Sequence, residues 1–160
     1  MRCDMRSRME RIACFAAWVS LLLAAGLPAA AQDRGFGLGL ILGEPTGVSL
    51  KSWTGRRTAI DAAAAWSFDR NGSLHLHMDY LIHDFDLIKT RTGRLPVYYG
   101  IGGRLRLEDK TRIGVRIPVG MCYIFDDAPF DIFLELGPVF DVVPRTELTV
   151  SGFIGFRYYF

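Results

Sequence analysis

Three histidines and an aspartate lie at odd-numbered positions of one short segment: His75, His77, Asp79 and His83. In a β-strand these side chains would share one face, with ~6.6 Å between residues i and i+2. Imidazole and carboxylate groups placed in this way can bind Zn²⁺ or Ni²⁺, or serve as the base and orienting group of a hydrolase. Hydrogen bonding of the histidines to nearby carboxylates is the simpler interpretation and the one we favour. We therefore predict no metal, no cofactor and no catalytic residue.

Charged residues alternate with apolar ones in most of the other segments as well. Ten of them are predicted to face the same side of a sheet: Lys51, Asp61, Asp79, Arg104, Arg106, Arg112, Arg116, Asp131, Glu135 and Arg157. The two signs nearly balance within this set. Buried charges must be paired and hydrogen-bonded. If this face is enclosed, we expect a network of salt bridges rather than a water-filled pore.

The elements that would position these charges are eight segments with a period of two, which is typical of strands. They are predicted at 35–43, 47–54, 58–68, 73–83, 96–107, 111–124, 130–140 and 148–160. Asn71-Gly72 is a strong hairpin signal between the third and fourth segments. Most of the segments are longer than the five or six residues usual in soluble proteins, and a tilted strand needs roughly nine to eleven to cross a bilayer.

The two faces of these strands differ in size as well as polarity. One carries Leu, Ile, Val, Phe and Tyr on nearly every segment, and the other mixes glycine and alanine with charged residues. The interior of an eight-stranded barrel is just wide enough for side chains to fill it, so the large apolar face would overfill it. We predict that the apolar face points outward to lipid and that inward glycines make room for the arginines. Aromatic residues near strand ends would then form interfacial girdles.

The last segment resembles the closing strand of small bacterial outer-membrane β-barrel proteins. Phe156, Tyr158 and Phe160 lie on its apolar face, and the family characteristically ends in Phe with an aromatic or apolar residue two places earlier. The resemblance implies an all-β fold, an eight-stranded antiparallel up-and-down transmembrane barrel. It also implies that these three residues form the signal read by the barrel-insertion machinery.

The N-terminal segment favours the same compartment. Four arginines, an apolar run from Ile12 to Leu27 and the triplet ending at Ala31 are typical of a secretory signal peptide. We predict a leader at 1–31 and one barrel domain at 32–160. The mature chain would have no formal net charge, which argues against nucleic-acid binding. It would keep only Cys122, so no internal disulfide is expected.

The predicted function is that of an integral outer-membrane barrel with a structural, non-enzymatic role in the envelope. Its partners would be outer-membrane lipid and, during biogenesis, the barrel-assembly machinery, and we expect a monomer. Two alternatives stay open. One is a lipid-modifying barrel hydrolase that uses the lumen histidines, although the His-x-Ser element of the lipid A deacylase family reads His75-x-His77 here. The other is a soluble periplasmic barrel with its apolar face inward, binding a hydrophobic ligand.

One feature departs from the family pattern. Eight strands return both chain ends of the barrel to the periplasmic side, so the longest connection, 84–95, would also be periplasmic. Members of the family have short turns on that side. The outer loops at 44–46, 69–72, 108–110 and 141–147 would all be short. Either this barrel is atypical or the strand count is wrong by one hairpin.

Overall fold

The computed structural model describes residues 35–43, 45–67, 72–108 and 110–160, and the predicted leader at 1–31 lies outside them. None of these residues forms a helix long and apolar enough to cross a membrane. The described segments contain nine strands: β1 (Phe36–Gly43), β2 (Thr46–Trp53), β3 (Thr58–Ser67), β4 (Ser73–Asp84), β5 (Val97–Leu107), β6 (Arg112–Arg116), β7 (Val119–Ile124), β8 (Phe130–Val143) and β9 (Glu147–Tyr159).

The strands form one closed antiparallel sheet. Each strand from β1 to β5 pairs with the next, β8 pairs with β9, and β9 returns to pair with β1 through Leu40↔Phe156 and its neighbours. The short strands β6 and β7 both lie between β5 and β8. Together they occupy one strand position in the barrel wall, which we call a stave. The barrel therefore has the eight staves that the sequence predicted. Closure leaves no free sheet edge.

The sixth stave was predicted to run unbroken from 111 to 124, and this was wrong. The ladder is interrupted at Ile117-Pro118, where the proline ring removes a backbone donor. The Pro118 carbonyl still accepts from Gly100 at 2.9 Å, and Ile117 donates to Pro138 at 3.0 Å. Inward and outward positions therefore continue in phase across the break, since both Arg116 and Pro118 are buried.

The eighth strand is longer than predicted. β8 continues to Val143 and β9 begins at Glu147, so the turn predicted at 141–147 is only 144–146. The extension places Asp141 on the inward face, in phase with Asp131 and Glu135. The Ala62–Ala65 run, in contrast, is a strand as expected, paired with both β2 and β4.

The polarity of the barrel is inverted relative to a water-soluble protein. Val150 is 70% exposed, Leu148 61% and Ile101 59%, whereas Lys51 and Arg157 are completely buried. The apolar face therefore points outward and the charged face inward, as predicted. A soluble barrel with an apolar interior is not supported by this arrangement.

Connections differ in length between the two ends of the barrel. The terminal end, where β1 begins and β9 ends, carries the connections 54–57, 85–96 and 125–129. The opposite turn end carries the short 144–146 turn, whereas residues 44, 68–71 and 109 of the other connections at this end lie outside the described residues. The long 85–96 connection is fixed to the end of β7, since Arg94 and Ile124 exchange backbone hydrogen bonds of 2.9 and 2.8 Å. The strand count predicted from the sequence is thus right, and the longest connection lies at the terminal end.

Candidate functional site

The lumen next to the terminal end contains a group of buried ions centred on Arg157. Its guanidinium donates to Asp61 at 3.0 Å and to Asp131 at 3.1 Å, and the Tyr159 hydroxyl donates to Asp131 at 2.7 Å. Lys51 lies 4.0 Å from the same aspartate. These four strands, β2, β3, β8 and β9, are held together across the lumen by groups that share charge and hydrogen bonds.

A glycine makes this group sterically feasible. A Cβ at Gly39 would lie 2.6 Å from Cγ of Arg157 and would also collide with the backbone of β9. The predicted role of inward glycines is therefore observed at this position: β1 must lack a side chain where the arginine crosses. The guanidinium also lies over the Phe133 ring, with 3.9 Å from Cζ to the ring centroid, a favourable cation–π contact.

The middle of the lumen contains a second group centred on Arg116. Its two terminal nitrogens donate separately to Asp79 and to Glu135, and the Tyr98 hydroxyl donates to Glu135 at 2.9 Å. Both carboxylates and the guanidinium are at most 2% exposed. One cation thus serves two buried anions that come from β4 and β8.

The remaining charges lie toward the turn end. Arg104 donates to Asp141 at 2.7 Å inside the lumen. At the rim, Glu108 accepts from Arg106 at 2.9 Å and from Arg112 at 2.6 Å, and both arginine side chains are about 30% exposed. Each of the ten predicted residues has an ion-pair partner, but in separate groups, and Arg106 and Arg112 lie at the exposed rim.

Several members of the network were not predicted. Asp141, Tyr98 and Tyr159 each bond to a predicted charge, and Glu108 and Glu147 complete the rim. The signal for Asp141 was available, because it continues the odd-numbered inward positions of β8. Tyr98 and Tyr159 also lie in the inward register, but their aromatic character did not mark them as polar partners.

The four residues considered for metal binding share the inward face of β4, but they do not converge. His83 is bonded to Lys51 at 2.8 Å, and His75 is bonded to Ser73 at 2.9 Å. His77 lies 3.9 Å from Asp79 and stacks on the Phe153 ring. His75 and His83 therefore have separate partners at different heights in the lumen, and only His77 and Asp79 lie near each other.

Among the described residues, one group has three possible metal ligands within 4.8 Å of each other: His77, Asp79 and Glu135. The Arg116 guanidinium already bridges the two carboxylates of this group. A divalent cation would have to displace it, because two cations cannot share the same pair of oxygens without strong repulsion. The prediction that the chain needs no metal stays a prediction.

Two cavities lie at opposite ends of this charged core. The turn-end cavity has a volume of about 490 Å³, and the terminal-end cavity has about 670 Å³. Their walls share no residue: the first includes Arg104 and His75, and the second includes Trp53, Arg57 and Phe85. The Arg157 and Arg116 groups fill the lumen between them.

Comparisons with known proteins find similarity in structure only. No protein-family model matches the chain, and no curated protein matches its sequence. Among solved structures, the crystal structure of the N-terminal β-barrel domain of Pseudomonas aeruginosa OprF is similar, with a TM-score of 0.61 and 13% sequence identity. The match covers 80% of this chain and 98% of the OprF domain. The two chains share a fold.

At this identity the likeness to the OprF domain establishes architecture and nothing finer. It agrees with the eight-staved antiparallel barrel described above. The all-β fold predicted from the sequence is confirmed by both.

Proposed function

We propose that the chain is an integral outer-membrane barrel protein with a structural, non-enzymatic role in the envelope, and that its own side chains close its lumen. The observation that carries this proposal is the inverted polarity of the barrel. A continuous apolar outer surface would aggregate in water, but it is the surface that a lipid bilayer requires. Fully buried ions such as Lys51 and Arg157 are the complementary half of the same design.

Strand geometry supports the same proposal. Five staves have strands of ten to fourteen residues, enough for tilted strands to cross the hydrocarbon core. Closure between β1 and β9 pairs the backbone groups of both edge strands, as a bilayer demands. At the terminal end the rings of Phe130 and Phe160 lie 5.1 and 4.9 Å from the Tyr158 ring, which fits an aromatic belt at the membrane interface. Trp66 and Phe140 lie nearer the turn end.

The partners that we propose follow from this placement. The barrel would be a monomer surrounded by outer-membrane lipid. The barrel-assembly machinery would recognise Phe156, Tyr158 and Phe160 during insertion. A structural role fits the lumen better than transport does, because paired side chains separate the two cavities.

Cell fractionation combined with a heat-modifiability gel tests the proposal. Expressed with its own leader in a Gram-negative host, the protein should sediment with the outer membrane and resist extraction by salt. Its unheated form should migrate differently from the boiled form, as folded barrels do. A soluble periplasmic protein and a resident outer-membrane barrel serve as controls. Recovery with the soluble control would defeat the proposal.

A second candidate function rests on one observation, the Ser73–His75 hydrogen bond of 2.9 Å. A hydroxyl bonded to an imidazole is the starting geometry of a serine nucleophile and its base. The candidate reaction would be hydrolysis of an envelope lipid. It ranks second because Ser73 and His75 lie in the inward register of β4, on the opposite face of the sheet from lipid acyl chains.

Substitution separates the two candidates. Ser73→Ala and His75→Ala should each alter the envelope lipid profile if the pair is catalytic. Ser151→Ala is a matched control, since its hydroxyl donates to the Gly137 carbonyl and not to an imidazole. Lipid profiles that are identical in all three variants and the parent chain would eliminate the hydrolase.

A further inference from the structure

The turn-end cavity has walls that are rich in hydrogen-bond donors. Three of its lining residues are arginines, Arg104, Arg106 and Arg116, and two are histidines, His75 and His77. Among the residues that the structure describes, its lining contains neither a carboxylate nor a carboxamide side chain. A guanidinium only donates, so this wall offers many donors and few acceptors.

Some of these donors have no partner. The Nε atoms of the three arginines and the hydroxyl of Thr149 are buried, and no described residue accepts a hydrogen bond from them. Arg104 is 8% exposed and Arg116 is 1% exposed, so both side chains are more than nine-tenths buried. Buried polar groups in folded proteins are nearly always satisfied by protein, water or ligand. Four unsatisfied donors around a single cavity are therefore an unusual concentration.

The carboxylates near the cavity do not occupy these donors. Asp141 accepts from a terminal nitrogen of Arg104, and Glu108 accepts from a terminal nitrogen of Arg106. Arg116 likewise uses both terminal nitrogens for its two carboxylate partners. These ion pairs hold each guanidinium in place and leave its Nε edge free.

We propose that this cavity binds a small oxyanion of the phosphate class. Phosphate presents acceptor oxygens, which is what an unsatisfied set of guanidinium and hydroxyl donors lacks. A neutral sugar fits less well, because its hydroxyl donors would find only the few hydroxyl and imidazole acceptors of this wall. The phosphate could belong to a free anion or to a lipid headgroup, which share this chemistry. The inference depends on the cavity alone and not on the envelope role proposed above.

Titration calorimetry on the full barrel in neutral detergent tests the proposal at constant ionic strength. The two probes are inorganic phosphate and a short-chain phosphatidic acid kept below its micelle concentration, with the corresponding phosphatidylcholine as a blank. Arg106→Gln should weaken binding roughly tenfold, because it removes a hydrogen bond to a charged group. Thr149→Val should weaken it about fivefold. Arg106→Gln loses the ion pair to Glu108, but Glu108 remains paired with Arg112, so the barrel should still fold.

Arg145→Gln is the matched control. It removes the same charge at the same end of the barrel, in the 144–146 turn, but Arg145 does not line the cavity. Binding of inorganic phosphate that falls in the two cavity variants only would support a free anion as ligand. The same pattern with phosphatidic acid alone would support a lipid headgroup. Absence of binding by both probes, or equal losses in Arg106→Gln and Arg145→Gln, would overturn the proposal.

Discussion

Replacing Arg116 with methionine removes the one cation that lies between Asp79 and Glu135. Methionine keeps most of the side-chain volume and flexibility, so the packing around Phe153 is largely preserved. The two carboxylates, each at most 2% exposed, would be left in the lumen without their shared partner. Arg116→Met therefore tests the electrostatics of the group centred on Arg116 more than the packing of that group.

The expected loss of unfolding free energy follows from the burial of this group. Breaking a buried pair by removing one partner costs roughly 3–5 kcal/mol, because an uncompensated charge remains. Two carboxylates lose the same partner here, so we expect a value near the upper part of that range. Arg112→Met is the matched control: Arg112 also contacts two carboxylates, but its side chain is 30% exposed, and exposed pairs contribute about 0–1 kcal/mol.

Equilibrium urea unfolding in lipid vesicles measures both losses, with the heat-modifiable gel shift as a second probe. The triple variant Arg116→Met, Asp79→Asn, Glu135→Gln removes the charges along with the guanidinium. It should recover much of the stability lost in the single variant, since neutral groups carry no unpaired charge. The prediction is refuted if the unfolding free energy of Arg116→Met lies within about 1 kcal/mol of that of the parent protein. It is also refuted if the triple variant is no more stable than Arg116→Met.

Three further predictions test the seam where β1 pairs with β9, the outer face of the barrel and the closed lumen. Gly39→Ala should destabilise the barrel by roughly 1–3 kcal/mol through overpacking. Gly103→Ala should have little effect, because a Cβ there meets nothing within 4 Å. Urea unfolding compares the two variants, and equal losses of stability would contradict the steric explanation. Leu134→Arg, at an outward position paired with Ile154, should lower the unfolding free energy in vesicles by ~2–4 kcal/mol if it lies near the bilayer midplane. Leu87→Arg, on the 85–96 connection, should not lower it. Equal stability of the two variants would argue against a lipid-facing wall. Reconstituted in planar bilayers, the parent protein should give no sustained pore currents, and steady conductance would show that the lumen is open.

The sequence alone was sufficient for the architecture because one physical rule governs every stave. Alternation placed Arg157 inward and Tyr158 outward, and it located Asp61 and Glu135 on the same enclosed face. The rule depends only on the two-residue period of a strand, so it applies to a sequence without a matching relative.

Pairing within the lumen was beyond this rule. Arg157 and Asp61 are 96 positions apart in the chain, and their contact depends on how the staves are staggered around the barrel. Stagger is a property of the whole sheet. The rim position of Arg112, likewise, depends on where β5 ends, and element ends are the least certain part of a sequence-based prediction.

The seam between β1 and β9 has a consequence for biogenesis. Asp61 and Asp131 receive their arginine only when the last strand arrives, because Arg157 is carried by β9. A sheet without that strand would leave Asp61 without its arginine and Asp131 with only Lys51, 4.0 Å away, and the edges of β1 and β8 would be unpaired. Partly inserted forms are thus penalised twice, by electrostatics and by backbone desolvation. If the barrel inserts into a membrane as proposed, its insertion should therefore be all-or-none, because β9 supplies both Arg157 and the closing edge.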